Sequence, residues 1–141
     1  MANSVTTART NYFTVTDEGA YNELFTHLVC GEDKIYDFTK EIDGIVYHGF
    51  GAYDSIDYVE DFTDEDREYN FDAFCEKLQK ILPDKEAVIY TEISHTKLSD
   101  VGGFSTVITK ERVEYIDLHG VATRICREIF DDADWVTKLN Y

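Results

Sequence analysis

The sequence is poor in proline, in cysteine and above all in positive charge. Its 141 residues include one proline and three cysteines, and 13 lysine and arginine side chains stand against 29 aspartates and glutamates. The formal net charge is therefore −16. A chain with this charge repels nucleic acid and anionic lipid, and it attracts cationic partners in a way that salt weakens. We therefore expect a basic protein as partner and no direct contact with nucleic acid or membrane.

The three cysteines are odd in number and have no paired spacing. Cys75 and Cys126 fall on the apolar faces of two predicted helices, and Cys30 falls at the end of another. This pattern favours buried, reduced thiols, which are typical of a reducing cytosol. Residues 1–13 contain no apolar stretch of a signal peptide, and no apolar run reaches the ~18 residues of a membrane span. We therefore expect a cytoplasmic protein.

Motifs for catalysis and for metal binding are also missing. The histidines do not fall at ligand spacing such as HxH or HExxH. The stretches HGFG and VGGF lack the lysine and the serine or threonine of a phosphate loop, and no GxSxG elbow is present. Asp64, Glu65 and Asp66 are not followed by the glycine of a calcium-binding hand. We therefore expect no metal site, no cofactor and no enzymatic activity.

One segment, residues 54–72, carries half of the net charge; we call it the acidic segment. It contains Arg67 and nine carboxylates, which are Asp54, Asp57, Glu60, Asp61, Asp64, Glu65, Asp66, Glu68 and Asp72. Nine negative charges and one positive charge give −8, against −16 for the chain. A net charge of roughly 2–8 is enough to keep a small domain soluble. The excess and its clustering favour a binding role over solubility alone.

Aromatic side chains alternate with these carboxylates. Tyr53, Tyr58, Phe62, Tyr69 and Phe71 lie in or beside the acidic segment. A charge run that only solvates a surface is usually poor in aromatics, although a solvated loop is the ordinary outcome for such a run. Aromatic rings add contact area at recognition surfaces. We predict a partner-binding site with Tyr58 and Tyr69 as anchors, formed by Asp54, Asp57, Tyr58, Glu60, Asp61, Asp64, Glu65, Asp66, Glu68, Tyr69 and Asp72.

The first half of the chain predicts one helix and several strands. Residues 1–9 are small and polar and are expected to be flexible, whereas residues 10–15 are typical of a strand. Asp17 is predicted to cap a helix that runs to about Cys30. Asp43-Gly44, between two apolar runs, is a strong hairpin signal within residues 34–50. A short edge strand is expected over residues 55–59.

The second half predicts two helices and a longer hairpin. A helix is expected to begin at Asn70 or Asp72 and to end at Pro83. A strand follows over residues 86–94, Gly102-Gly103 is predicted to form a turn, and two strands pair around Lys110-Glu111. Asp117 is predicted to cap a third helix, whose expected inward residues are Leu118, Val121, Ala122, Ile125, Cys126 and Ile129.

These elements predict an α+β fold in one domain, residues 1–141. Strands arranged in hairpins, without βαβ alternation, favour an antiparallel or mixed sheet of about five to seven strands with three helices packed on it. The tail after Trp135 is expected to pack within the chain, and packing on a second copy is the alternative. A homodimer therefore stays open.

Three stretches carry a resemblance to a class of proteins. RTNYFTVTDEGAYNELF, DFTKEIDGIVYHGFGAYDSI and ILPDKEAVIYTEIS resemble small acidic proteins carried on bacterial mobile elements and phages. In size and charge the chain is similar to anti-CRISPR and antirestriction inhibitors. The resemblance implies a protein in the cytoplasm of a bacterial host that occupies the nucleic-acid groove of a nuclease, such as a CRISPR effector.

Physical chemistry supports the mimicry of a nucleic acid by this chain, and two alternatives stay open. B-DNA carries one charge per ~1.7 Å of its axis, and closely spaced carboxylates on a folded surface approximate that field. A basic groove would then accept the acidic segment in place of DNA or RNA. The same charge and size suit an immunity protein that neutralises a basic bacterial toxin. An α+β enzyme or binding module with a charged face is the third reading.

Overall fold

The computed structural model describes residues 5–31, 34–96, 98 and 100–138. Residues 1–4 of the expected flexible terminus, and Leu139 to Tyr141 of the tail, lie outside this part of the chain. The described residues form ten strands and three helices. In chain order these are β1 (Val5–Thr10), α1 (Glu18–Thr26), β2 (Leu28–Cys30), β3 (Tyr36–Asp37), β4 (Lys40–Ile42), β5 (Ile45–Tyr47), β6 (Phe50–Ala52), β7 (Ile56–Tyr58), α2 (Phe71–Gln79), β8 (Ala87–Thr96), β9 (Asp100–Thr109), β10 (Val113–Asp117) and α3 (Leu118–Phe130).

The strands form one large antiparallel sheet and two small ones. The large sheet has six strands in the order β10-β9-β8-β1-β6-β3, and β2-β7 and β4-β5 form separate pairs. Every pairing is antiparallel. The predicted α+β class with three helices is therefore confirmed.

The predicted hairpin around Asp43-Gly44 is confirmed and is longer than its separate strands suggest. Tyr36 pairs with Gly51, and Lys40 pairs with Tyr47, in one continuous register. Asp43 and Gly44 have φ values of 53° and 78°. A two-residue turn of this kind needs a positive φ at both central positions, which glycine and aspartate tolerate.

The N-terminal prediction is wrong for residues 5–9. They belong to β1, which lies inside the sheet with β8 on one side and β6 on the other. Ala8 and Thr10 face the core and are buried, so small side chains here let the helices pack closely. The strand predicted over residues 10–15 is reduced to a single bridge between Phe13 and His48. The hydrogen bonds that β1 forms with strands on both of its sides outweigh the weak strand propensity of residues 5–9.

Two further boundaries differ from the sequence prediction. The first helix ends at Thr26, and residues 28–30 form β2, because apolar residues at this spacing fit three residues of strand as well as a further helical turn. Gly102-Gly103 lies inside β9 and forms no turn. A side chain at Gly103 would begin 2.7 Å from Ile93 Cδ1 and 2.9 Å from Leu118 Cδ1. Glycine there permits close packing rather than chain reversal.

The core lies on one face of the large sheet. Helices α1 and α2 cover that face, and Phe74 and Leu78 of α2 pack with Tyr90 of β8 and Ile108 of β9. Tyr90 also accepts a hydrogen bond from the backbone of Ile56 at 3.1 Å, which places β7 on the same face. The acidic segment, which connects β7 to α2, therefore belongs to the helical side of the molecule.

Helix α3 lies on the opposite face of the sheet, and its predicted inward residues are not buried. Leu118 reaches over Gly103 of β9, yet it is 60% exposed, and Ile129 is 72% exposed. No residue of α3 is buried. The reason is topological, because α1 and α2 already occupy the core face. Trp135 folds back on α3, where Arg127 Nε donates to its carbonyl at 2.8 Å, whereas Val136 of the tail is 61% exposed.

Candidate functional site

Residues 60–68 of the acidic segment form a loop whose two ends are anchored to the fold. We call this loop the acidic loop. Val59 and Tyr69 form a β-bridge across its base. Below the bridge, the Asn70 amide donates to the Tyr58 carbonyl at 2.8 Å, and the Val59 amide donates to the His27 carbonyl at 3.0 Å. The backbone at the base is therefore held by hydrogen bonds to β7 and to the end of α1.

Side chains inside the acidic loop hold its own backbone. Asp61 accepts hydrogen bonds from the Thr63 amide at 2.9 Å and from the Thr63 hydroxyl at 2.6 Å. Asp64 accepts from the Asp66 amide at 3.0 Å. Such side-chain turns are local alternatives to helix or sheet. The Thr63 bonds favour the ionised carboxylate, so the pKa of Asp61 is lowered although the group is exposed.

Phe62 fastens the middle of the acidic loop to the scaffold. Its ring stacks on the imidazole of His27, with 5.1 Å between centroids. His27 in turn lies with Nδ1 2.7 Å from the Val59 carbonyl oxygen. Arg67 donates to the Phe62 carbonyl at 2.9 Å and places its guanidinium 5.6 Å from the Phe62 ring centre. The only cation of the acidic segment is thus turned towards the loop backbone and an aromatic ring.

The carboxylates of the acidic segment face solvent with little countercharge. Seven are exposed, and Asp54 and Asp57 are half-buried. Among the described residues one salt bridge reaches this set, between Lys77 of α2 and Glu60 at 3.0 Å. The pKa of Lys77 is raised by hydrogen bonds to Glu60 and to the Tyr58 hydroxyl. Most of the negative charge gathered here is therefore available to a partner.

Tyr58 is not available as an anchor, so this part of the predicted site is wrong. It lies on the inward side of β7, is 2% exposed, and has its ring 5.8 Å from that of Phe74. Strand alternation explains the difference, since Asp57 and Tyr58 point to opposite faces. Tyr69 is 66% exposed and Tyr53 is 69% exposed. Tyr69 therefore keeps its predicted accessibility, and Tyr53 joins it as an accessible ring that the prediction omitted.

Two shallow recesses adjoin the acidic loop. One, of about 300 Å³, is lined by Glu60, Asp61, Asp64, Asp66 and Glu68 together with Arg67. The second, of about 520 Å³, lies between the loop and β2 and includes Asp54, Asp57 and Tyr69. Carboxylates around a concave surface accept hydrogen bonds from lysine and arginine side chains. The two recesses can receive cationic groups from a partner.

A second acidic patch occurs after α3. Glu128, Asp131, Asp132 and Asp134 are all exposed. Because α3 is on the opposite face of the sheet from α1 and α2, this patch forms a separate surface and does not extend the acidic loop.

A polar network around the buried His48 joins α1 to the long hairpin. His48 is 3% exposed, and its Nε2 lies 2.6 Å from Glu18 Oε2. Its Nδ1 lies 3.2 Å from the Thr39 hydroxyl, which donates to Asp37. Tyr21 stacks on His48 at 4.1 Å between ring centroids. Burial and these neighbouring carboxylates raise the pKa of Tyr21. The network satisfies a buried imidazole and fixes the hairpin against the helix.

Within the part of the chain that the structure describes, no group of three or more His, Cys, Asp or Glu side chains is arranged to hold a metal ion. None of the described helices has the length and apolar character needed to cross a membrane. No family model, no curated protein and no solved structure matches the chain.

Proposed function

We propose that this chain is an acidic inhibitor that binds the basic nucleic-acid groove of a nuclease and competes there with DNA or RNA. The observation that carries the proposal is the acidic loop: exposed carboxylates, almost free of countercharge, on a backbone held by its own hydrogen bonds. A CRISPR effector in a bacterial cytoplasm is the partner class that the sequence resemblance implies.

An ordered loop suits this role better than a disordered acidic tail. Immobilising a flexible segment costs about 1–2 kcal/mol per residue in backbone entropy, and a loop that is already ordered avoids much of that cost on binding. The bridge between Val59 and Tyr69 and the stacking of Phe62 on His27 supply this order in the unbound chain. The binding free energy is then left for contacts with the partner.

Charge contributes mainly to the rate and the selectivity of encounter. A surface with a net charge of −16 is drawn towards a groove lined with lysine and arginine, and like-charged proteins are rejected. Once docked, the exposed rings of Tyr53 and Tyr69 add apolar contact and a phenol hydroxyl each. Inhibition by this mechanism is occupation of the groove and involves no chemical step.

The experiment compares two triple charge reversals on a panel of guide-loaded CRISPR effector nucleases. The site variant changes Glu65, Asp66 and Glu68 to lysine, because none of these three carboxylates accepts one of the hydrogen bonds that hold the loop. The control variant changes the exposed residues Glu128, Asp131 and Asp134 of the second acidic patch to lysine, which alters the net charge by the same amount on the α3 side of the sheet.

We expect the site variant to lose affinity for the inhibited nuclease by at least about a hundredfold, because reversing close charge pairs replaces attraction with repulsion. The control variant should stay within about fivefold of the parent if position matters more than total charge. Binding should weaken between 50 and 300 mM salt on the order of a hundredfold and should be displaced by DNA. A site variant that inhibits as well as the parent, or binding that DNA does not displace, would contradict the proposal.

A further inference from the structure

The face of the sheet opposite the core carries several exposed apolar side chains among polar ones. Side chains alternate along each strand, so residues next to the buried Val88, Tyr90 and Ile108 point away from the core. On this side Ile89 is 41% exposed, and Val101 is 64% exposed. Apolar strand residues of this kind are ordinarily covered by a helix or by another sheet.

Helix α3 does not provide that cover. Its apolar residues recur at helical spacing, with Leu118 60% exposed, Ile125 47% and Ile129 72%. Helix α3 and the outward strand residues together form what we call the α3 face. Its members are Val5, Ile89, Ile93, Val101, Ile116, Leu118, Ile125, Ile129 and Phe130.

The size of the α3 face exceeds what an isolated protein usually leaves open. Its nine side chains are 41–72% exposed and present on the order of 700 Å² of apolar surface, if each presents about 150 Å² when fully exposed. The largest apolar patch on a typical monomer is roughly 300–600 Å². A standard protein interface buries about 800 Å² on each partner. The α3 face is therefore of the size that a stable interface needs.

Charge indicates which partner suits this face. The outward strand positions and α3 carry three arginines and two glutamates, a sum of +1, and three aspartates after α3 bring this to −2, whereas the whole chain carries −16; these residues are Arg9, Glu114, Arg124, Arg127, Glu128, Asp131, Asp132 and Asp134. A basic protein would find much less electrostatic attraction here than at the acidic loop. A second copy would avoid most of the repulsion between two acidic chains, because the acidic loop of each copy lies on the opposite side of its sheet.

The rim of the α3 face is able to pair with itself. Strand β10 is at the edge of the sheet, and a groove of about 710 Å³ runs between it and α3. This groove carries Arg112 and Arg124 as well as Glu114 and Asp117. A two-fold axis repeats the same surface in opposite orientation, so a groove with both signs can meet its own copy with opposite charges facing. As an edge strand, β10 also has one row of backbone N–H and C=O groups that can pair with a second copy.

We infer that the α3 face is the interface of a homodimer of this chain, with a two-fold axis close to α3 and β10. The interface uses α3 and the outer face of the sheet, and it is distinct from the acidic loop. The two copies present their acidic loops on the two outer sides of the dimer. The inference does not depend on the proposed nuclease partner.

The test measures the molar mass in solution by sedimentation velocity at 1–100 µM protein. The parent chain should approach twice its mass of 16.3 kDa as the concentration rises. The double variant I125E/I129E should remain at the monomer mass over this range. Both positions are exposed in the monomer, so the substitutions spare its core.

A matched control carries the same chemical change elsewhere. Ile42 and Ile45 are 47% and 49% exposed on the β4–β5 hairpin, which extends from the sheet edge opposite β10. I42E/I45E should dimerise as the parent does. If the control lost dimerisation as completely as I125E/I129E did, the interface would be misplaced and the inference overturned.

Salt separates this interface from binding through the acidic loop. Raising the salt concentration from 50 to 300 mM screens the repulsion between two chains of −16, so dimerisation should strengthen or stay unchanged. Binding of a basic partner should weaken over the same range. A parent chain that stays monomeric at 100 µM in 300 mM salt would overturn the inference and leave the α3 face to a different protein. An I125E/I129E variant that still dimerises would overturn it as well.

Discussion

Tyr21 and Tyr90 are buried tyrosines with opposite hydrogen-bonding states. Tyr90 accepts from the Ile56 amide at 3.1 Å and donates to Glu92 at 2.5 Å. The Tyr21 hydroxyl is buried and has no hydrogen-bond partner among the described residues. A buried hydroxyl without a partner loses its hydration and gains nothing in exchange. The two hydroxyls should therefore contribute to stability with opposite signs.

Replacing each tyrosine by phenylalanine tests this contrast. Y21F should leave the free energy of unfolding unchanged or raise it by up to about 1 kcal/mol, because an unsatisfied polar group is removed. Y90F should lower it by about 1–3 kcal/mol, because the Ile56 amide and Glu92 lose their partner. Urea denaturation monitored by circular dichroism measures both values. A Y21F variant less stable than Y90F would contradict the assignment.

Cys75 offers a prediction about pH and reactivity. Burial raises the pKa of its thiol from 9.0 to about 12, and Asp72 adds to the effect. The folded pKa is the higher one, so this contribution to stability is complete below pH 9 and is lost as the pH rises towards 12. At pH 8 the folded chain should hold Cys75 as an unreactive thiol.

Alkylation with iodoacetamide followed by mass spectrometry checks this prediction. At pH 8 the half-buried Cys126 should react at least about tenfold faster than Cys75 in the folded chain. In 8 M urea the two rates should converge, because both thiols are then exposed. Equal rates without urea would show that the Cys75 site opens readily.

At the scale of the element, helix starts are the best-predicted features. Asp17, Asn70 and Asp117 each accept a hydrogen bond from a backbone amide two or three residues further on. Asp17 and Asp117 are the predicted caps, and Asn70 is one of the two starts predicted for α2. Helix ends are less well predicted. Helix α2 stops at Gln79, before Pro83, and the intervening Ile81 and Leu82 are buried in the connection. A cap is a hydrogen bond between near neighbours, so it can be predicted from a few residues. The end of a helix also depends on how the following residues pack in the core.

The cap of α2 also closes the base of the acidic loop, and this gives a prediction for the element. Asn70 Oδ1 accepts from the Ala73 amide at 3.1 Å, and the Asn70 amide donates to Tyr58. N70A should lower the free energy of unfolding by about 1 kcal/mol. Hydrogen exchange of residues 60–69 should speed up, because the start of α2 frays. N70S keeps an acceptor and should stay within about 0.5 kcal/mol of the parent. If hydrogen exchange of residues 60–69 were unchanged in N70A, the order of the acidic loop would not depend on this cap.

The errors at this scale have a common physical cause. Strand β1 has mostly polar side chains. Its place in the sheet is set by pairing with β8 and β6, which lie far along the chain. Strand β2 follows α1 after one residue, and three residues cannot distinguish a strand from a helical turn. Gly103 reads as a turn residue in the sequence, but its role depends on Leu118, which reaches it from α3. Long-range partners are not visible in local patterns.

At the scale of the whole molecule, the sheet separates two different surfaces. The side covered by α1 and α2 carries the acidic loop, and the other side carries the exposed apolar residues of the α3 face, with the second acidic patch at one end. Composition and clustering were enough to predict the acidic segment and its exposure. The inward direction of Tyr58 follows from its place on β7, which composition does not indicate. The exposure of the α3 face could not be predicted from the sequence. An amphipathic pattern predicts that a helix has a partner, but it does not say whether that partner belongs to the same chain.

The position of β1 has a consequence for how the chain is made. Val5 at its start pairs with His95, and its other edge pairs with β6. Strand β1 therefore has to wait for β8 before the middle of the sheet can close. Contacts between such distant parts of a chain slow folding. During synthesis the large sheet can therefore close only after β8 has been translated.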